Sequence, residues 1–422
     1  MTNRTLPTVF GWFLTSLLAL SASVTVNDVG GVLGATRSPV TAIVNLSPRQ
    51  QRAAREGRLQ MREVVASGRA TAKIVPAQLL EMAGGDDDPA RLCWLMPPGG
   101  SGERRFALQS ARGRAEGGML AQFDSGSGQY AISEAGKPVL RYVYATIEPG
   151  ALLEQVAVDN RKYARARSDY IHPLFGFDGE PLTLDWPVDH PHHRGIYWAW
   201  PEVDWRGQRG DLHALQSVFA RPTGSCRVIS GPVFAQIEAE NVWKWEDRDS
   251  LVRERAIIRA YRATGAERLI DLELQFTALR DPVWLARRGT DKYGGLNLRL
   301  ARVLDQAITF HTDPANVTPR MAWAELHGRF DGVGRPTGLA VLQHDANPDY
   351  PGDWVEFPEI NWFQPTFPAR GERHELRPGK PLVLRFRLWL HGGGAADSLR
   401  CAAQWRAYHS AAAPQFFNSP GS

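Results

Sequence analysis

Lysine is scarce in this 422-residue chain: six lysines stand among 49 basic residues, so arginine carries nearly all the positive charge. The net charge is only +4 and the arginines are scattered, without the clustered basic stripe of a nucleic-acid footprint. Cysteine is scarcer still. Cys93, Cys226 and Cys401 are far apart and odd in number, which argues against a disulfide scaffold or a metal knuckle and favours small buried hydrophobes. Also missing are a Gly-rich phosphate loop, a nucleophile elbow and a metalloprotease helix motif. These absences argue against ATP or a dinucleotide cofactor.

Long apolar runs are absent beyond the N-terminus, where Arg4 is the only charge before Asp28. An apolar stretch centred on Phe10 to Leu20, followed by Ser21-Ala22-Ser23, reads as a cleavable signal peptide over residues 1–23. The expected protein is therefore exported, periplasmic or extracellular, with no membrane contact beyond its leader. Later runs, such as Ile196–Trp200 and Leu339–Leu342, have the length of buried strands.

What is present points to β-structure. Ile270–Phe276 alternates apolar and polar residues strictly, as a half-buried strand must, and Leu296–Leu300 and Leu384–Leu390 follow suit. Asp247-Arg-Asp249 marks the turn of a hairpin between Phe234–Trp245 and Leu251–Tyr261. Ser47-Pro48 could open a short helix, and Asp397 caps a helix over Leu399–Tyr408. The expected fold is mainly β: an antiparallel sandwich over residues 151–412, with a small N-terminal β-module over 41–150. Residues 24–40 read as a flexible lead-in and 413–422 as a tail.

The densest chemistry lies in Asp185-Trp-Pro-Val-Asp189-His190-Pro-His192-His193-Arg194-Gly195. Pro191 bars a helix interior. If the segment is extended, His190 and His192 share a face and His193 points away. Two imidazoles on one face can transfer protons near neutral pH, or hold a divalent metal with a carboxylate. Asp185 and Asp189 could orient them, and Arg194 offers a fork for an oxygen or carboxylate. Tyr197-Trp-Ala-Trp200 follows at once, and fourteen tryptophans are a high count for one chain. Exposed indoles make platforms for sugar rings, although core packing should claim half or more of them.

Distant segments could close the site: Lys292 on the Gly-rich turn before a strand, and His344-Asp-Ala-Asn347 after another. The candidate catalytic residues are Asp189, His190, His192, His193, Arg194 and Lys292. Candidate substrate contacts are Tyr170, Asp185, Trp198, Trp200, His344 and Asn347. The leading expectation is acid/base chemistry on a small carbohydrate, as a hydrolase, lyase or epimerase. A metal-dependent oxygenase or hydrolase, with a divalent metal on His190, His192 and a carboxylate, is the alternative, and a non-catalytic sugar-binding protein the third reading.

Through Tyr170-Ile-His-Pro173, Gly179-Glu-Pro-Leu-Thr183, Asp189-His-Pro-His-His-Arg-Gly195, Trp198-Ala-Trp200 and Lys292-Tyr-Gly-Gly295, the chain resembles the PmoA-like family of bacterial proteins. His344-Asp-Ala-Asn347-Pro agrees, and coverage is about residues 140–410. That resemblance implies a β-sandwich of the galactose-mutarotase type and a carbohydrate role. The family's methane-oxygenase name implies an integral membrane subunit, which this chain's lack of later spans contradicts.

Overall fold

The computed structural model describes residues 23–65, 70–81, 90–311, 322–330 and 335–410. The expected leader, apart from Ser23, and the expected tail lie outside the described residues. No helix among those described is long and apolar enough to cross a membrane.

The chain is mainly β, with antiparallel strand pairing throughout its sheets. One eight-stranded sheet runs, in spatial order, Trp354–Phe357, Trp362–Pro365, Gly295–Arg299, Ile196–Ala199, Tyr170–Leu174, Lys137–Val143, Gln129–Glu134 and Met119–Asp124. A second runs Val218–Ile229, Phe234–Trp245, Asp249–Tyr261, Glu267–Ala278, Leu382–Gly392, Thr337–Gln343, Trp323–Phe330 and Val303–His311. The two pack face to face across a single apolar core. The strand Glu267–Ala278 shows why: Leu272, Leu274 and Phe276 enter that core, while Asp271, Glu273 and Gln275 lie on the opposite face. The expected hairpin is there as Phe234–Trp245 paired with Asp249–Tyr261. A small four-stranded sheet, built from Gln208–Gly210, Glu202–Trp205, Val283–Ala286 and Arg373–Leu376, flanks the sandwich.

The N-terminal region departs from its expected outline at both ends. Residues 24–40 are ordered rather than a loose lead-in: Ser23–Asp28 pairs with Gly102–Ser110, and Pro39–Val44 pairs with Ala90–Leu95. Val24, Val26, Val40, Ala42 and Val44 are buried on one core, so apolar alternation outweighs the Gly and Ser content. Asp28, fully buried, ties the intervening turn by accepting from the Leu33 and Gly34 amides at 2.8 and 3.0 Å. At the other end, the strands from Met119 to Val143 pair into the large sandwich sheet and not into the six-stranded N-terminal sheet. Met119, Ile132 and Leu140 therefore belong to the sandwich core.

Both expected helices form. Pro48–Arg55 carries a capping box between Ser47 and Gln50. Ser398–Ser410 starts where the Asp397 carboxylate accepts from the Arg400 amide at 2.8 Å. This last helix seals the seam between module and sandwich, with Cys401 and Ala402 packed against Cys93, Leu95 and Trp389. All three cysteines are free thiols.

Candidate functional site

The His-rich run is a turn, and that changes which imidazoles meet. The His193 amide donates to the His190 carbonyl at 2.8 Å, with Pro191 at the turn's second position. His193 therefore does not point away. Its ring stacks on His190 at 4.8 Å and meets His192 at 4.6 Å. Gly195 then takes a left-handed φ of +58°, and a Cβ there would sit 2.2 Å from the Ile171 carbonyl oxygen. The close approach serves the neighbouring strand and not a ligand. Gly195→Ala is expected to cost about 1–3 kcal/mol in backbone strain alone, with the overlap adding to it, read as a lowered urea midpoint.

The strand that follows, Ile196–Ala199, sorts its side chains by alternation. Trp198 points inward, donating to Glu254 on the facing sheet at 2.7 Å. Tyr197 points outward and meets His213 Nε2 at 3.0 Å. Its paired neighbour Asn297, and Arg299 and Trp362 on the adjoining strands, sit on that same outer face. The site is thus built on the outside of the sandwich. Trp198 and Trp200 are not ring platforms: both are fully buried, and Trp200 is held by the Phe367 carbonyl at 2.8 Å.

A cleft of about 460 Å³ opens over this face. His190, His192, His193 and His213 reach it, with Arg288 and Asp189. Its aromatic walls are Tyr163, Tyr293, Phe357 and Trp362. The 3₁₀ turns Val158–Tyr163 and Pro358–Ile360 bring in Tyr163 and Glu359.

His192, His193 and His213 form the centre. Each can present one ligand nitrogen, all within 4.8 Å of one another. The Nδ1 atoms of all three are buried without a hydrogen-bond partner. Burial pushes all three imidazoles below their ordinary range, His192 down to about 3. Mutual repulsion and the nearby guanidinium groups of Arg167, Arg288 and Arg299 add to this. Three neutral imidazoles with unused nitrogens are a donor set suited to a borderline divalent cation such as zinc. Around a tetrahedral ion with bonds of about 2.1 Å, ligand nitrogens sit about 3.4 Å apart.

His190 plays a different part. Its Nδ1 lies 2.9 Å from Asp189 Oδ2, which fixes the ring and leaves the other nitrogen for the cleft. Arg299 donates to both Asp189 oxygens at 3.1 and 3.2 Å. Burial opposes ionisation of Asp189, but the His190 and Arg299 contacts win and hold its carboxyl below the usual range. Across the cleft, Arg288 pairs with Asp211, whose other oxygen accepts from the Ala214 amide at 2.7 Å and shapes the loop that carries His213.

Several candidates lie elsewhere. Arg194 is fully buried, paired with Asp185, stacked on Trp186 at 3.3 Å and donating to the Tyr170 hydroxyl at 2.6 Å. Of the candidates, Arg194, Asp185 and Tyr170 thus hold one another, and none lines the cleft. Lys292 is exposed, and its contribution is a carbonyl that accepts from Arg287 at 2.6 Å. The next residue, Tyr293, is the one that faces the site. Asn347 instead clamps the Arg385 backbone, at 2.7 and 2.8 Å. His344 groups with Asp345 and His409, away from the cleft. In that second cluster His409 is committed on both nitrogens: Nδ1 lies 2.6 Å from the Trp405 carbonyl and Nε2 accepts from the Asp345 amide at 3.0 Å. His409 therefore keeps no lone pair for a cation. Sequence reasoning missed His213, Tyr163, Tyr293, Phe357 and Arg288 as site residues.

The profile of a family of unknown function, DUF6807, matches residues 129–406. The chain belongs to that family. The match covers every residue of the cleft and the sandwich except its edge strand Met119–Asp124, and it overturns the PmoA-like resemblance. No curated protein matches this DUF6807 chain. Solved structures that match include one described as a kojibiose phosphorylase from human microbiome, at 8% identity and a TM-score of 0.24. That alignment covers 51% of this chain and 26% of the other, and it carries no argument about function.

Proposed function

We propose that this chain is exported and is an enzyme whose outer-face cleft holds a divalent cation on His192, His193 and His213. It would act by acid/base chemistry on a small, oxygen-rich substrate of the sugar or glycoside class. The observation that carries this reading is the convergence of three neutral, buried imidazoles with unpartnered Nδ1 atoms. Burying such groups without partners costs roughly 1–3 kcal/mol each, a cost that a bound ion would offset.

The ion would supply Lewis acidity, polarising a substrate oxygen or a water. The chain's own residues supply the rest. His190, held by Asp189 and Arg299, is oriented to take up or give back a proton at the nitrogen facing the cleft. Arg288 lines the same cleft, and a substrate oxygen there could accept from it. Tyr163, Tyr293, Phe357 and Trp362 offer faces and edges against which the C–H side of a sugar ring can rest. The cleft volume falls within the roughly 300–1,000 Å³ usual for small-molecule sites.

Cobalt titration of the metal-free protein tests the reading. One equivalent should bind with the visible absorption bands of a low-coordinate nitrogen site, and zinc should displace it mole for mole. Uptake below about 0.1 equivalent under these conditions would remove the proposal.

A further inference from the structure

The charges around the cleft carry a conclusion about what it accepts. Three neutral imidazoles leave a bound dication with its full charge. The carboxylates nearest the floor do not help, because each is already matched: Asp189 by Arg299 and His190, Asp211 by Arg288. Glu359 stands exposed on the rim. Three guanidinium groups lie among them. Arg167 lies beneath, stacked on Tyr197 at 4.3 Å and donating to the His192 and His213 carbonyls at 3.1 and 3.2 Å. Arg299 is nine-tenths buried, yet its Nε and Nη1 donors have no partner. Arg288 commits Nη2 to Asp211 and sets Nε 3.3 Å from the Tyr293 hydroxyl, while its side chain stays 40% exposed in the cleft.

Asp189, Asp211 and Glu359 balance the three guanidinium groups, so the surplus is the charge of the bound dication itself, and Arg288 is the guanidinium on the wall that a ligand would meet. A neutral sugar would leave that surplus unanswered. A carboxylate answers it by matching the planar donor fork of arginine and by supplying the anionic oxygen that the protein withholds from the ion.

We infer that the substrate is an acidic sugar, whose carboxylate is read by Arg288 together with the ion on the three histidines. The inference rests on the metal reading above and adds the substrate's charge to it. Arg288 is a specificity-determining residue, and Arg167 and Arg299 act as positioning residues that set the local field.

The test compares matched pairs of probes on zinc-loaded protein by calorimetry: glucuronate against glucose, and galacturonate against galactose. In at least one pair the acid is expected to bind about tenfold or more tighter than the neutral sugar, a preference that weakens with added salt. Arg288→Gln should bring that ratio to within about threefold while retaining one zinc per chain. Equal affinities within both pairs on protein that does hold zinc would overturn the acidic-sugar inference alone. A preserved preference in Arg288→Gln would overturn the role of Arg288. Protein that takes up no zinc would overturn this inference together with the reading it rests on. The wild-type ratios stand as a test whether or not Arg288→Gln folds.

Discussion

Replacing His213 with glutamine is expected to weaken cobalt or zinc binding by about a hundredfold or more, whereas His190→Gln should leave it within about threefold. Loss of a partner that merely supports a ligand typically costs about 10–100-fold, so loss of a ligand itself should reach or pass the upper end. His213 is suited to that role by placement as much as by chemistry. Its ring is 2% exposed, and its loop is held by the Trp200 carbonyl, which accepts from the Leu212 and His213 amides at 3.0 and 3.3 Å. Glutamine keeps a polar group near the Tyr197 hydroxyl, so the fold should persist while the imidazole nitrogen is lost. His190 differs because its Nδ1 is already engaged by Asp189. Equilibrium dialysis with both variants, beside circular dichroism to verify folding, separates the two roles. Equal losses in the two would mean that the ion sits nearer His190; no loss in either would mean that these imidazoles hold none.

Local patterns made the fold legible. Strict alternation in Ile270–Phe276, the turn residues after Trp245 and the Asp397 cap each encode their element within a few residues, and each element formed. The turn of histidines stood out for the same reason. What decides the site is long-range, and no local pattern encodes it. Tyr197 and Trp198 are neighbours in sequence, yet strand pairing sends one to the outer face against His213 and the other toward Glu254 on the facing sheet. His213, Tyr293 and Trp362 carry no distinguishing context in sequence. They meet because Ile196–Ala199, Gly295–Arg299 and Trp362–Pro365 lie side by side. Arg194 misled for the opposite reason. Its charge suggested a ligand, but Asp185, Tyr170 and Trp186 enclose it completely. Clustered polar residues mark a place in the chain; only the pairing register says which way each one faces.

The second large effect is expected inside the sandwich, at Glu254. This fully buried carboxyl accepts from the indole nitrogens of Trp198 at 2.7 Å and Trp243 at 2.6 Å. Asp169 lies beside it, taking bonds from the Tyr142 hydroxyl at 2.8 Å and the Asn241 amide at 2.9 Å. Glu254→Ala strands both indole donors and opens a cavity, for an expected loss of roughly 3–5 kcal/mol in unfolding free energy. The pair also predicts a pH dependence. Burial, and then the charge of Asp169, keep the Glu254 carboxyl protonated well above its ordinary 4.5. The unfolded chain releases that proton above about pH 4.5, while the folded chain keeps it. Stability from this residue is therefore complete below that value and is lost as pH rises toward the raised folded pKa, by up to about 1.4 kcal/mol per pH unit. Glu254→Gln cannot titrate, so the wild-type protein should lose stability relative to it between pH 5 and pH 8 in urea unfolding. Groups remote from this pair are common to both proteins and cancel, so the difference reports Glu254 together with the Asp169 carboxyl coupled to it. A difference that stays flat across that range would show that Glu254 is ionised in the folded protein, its charge met by the two indoles and Asn241.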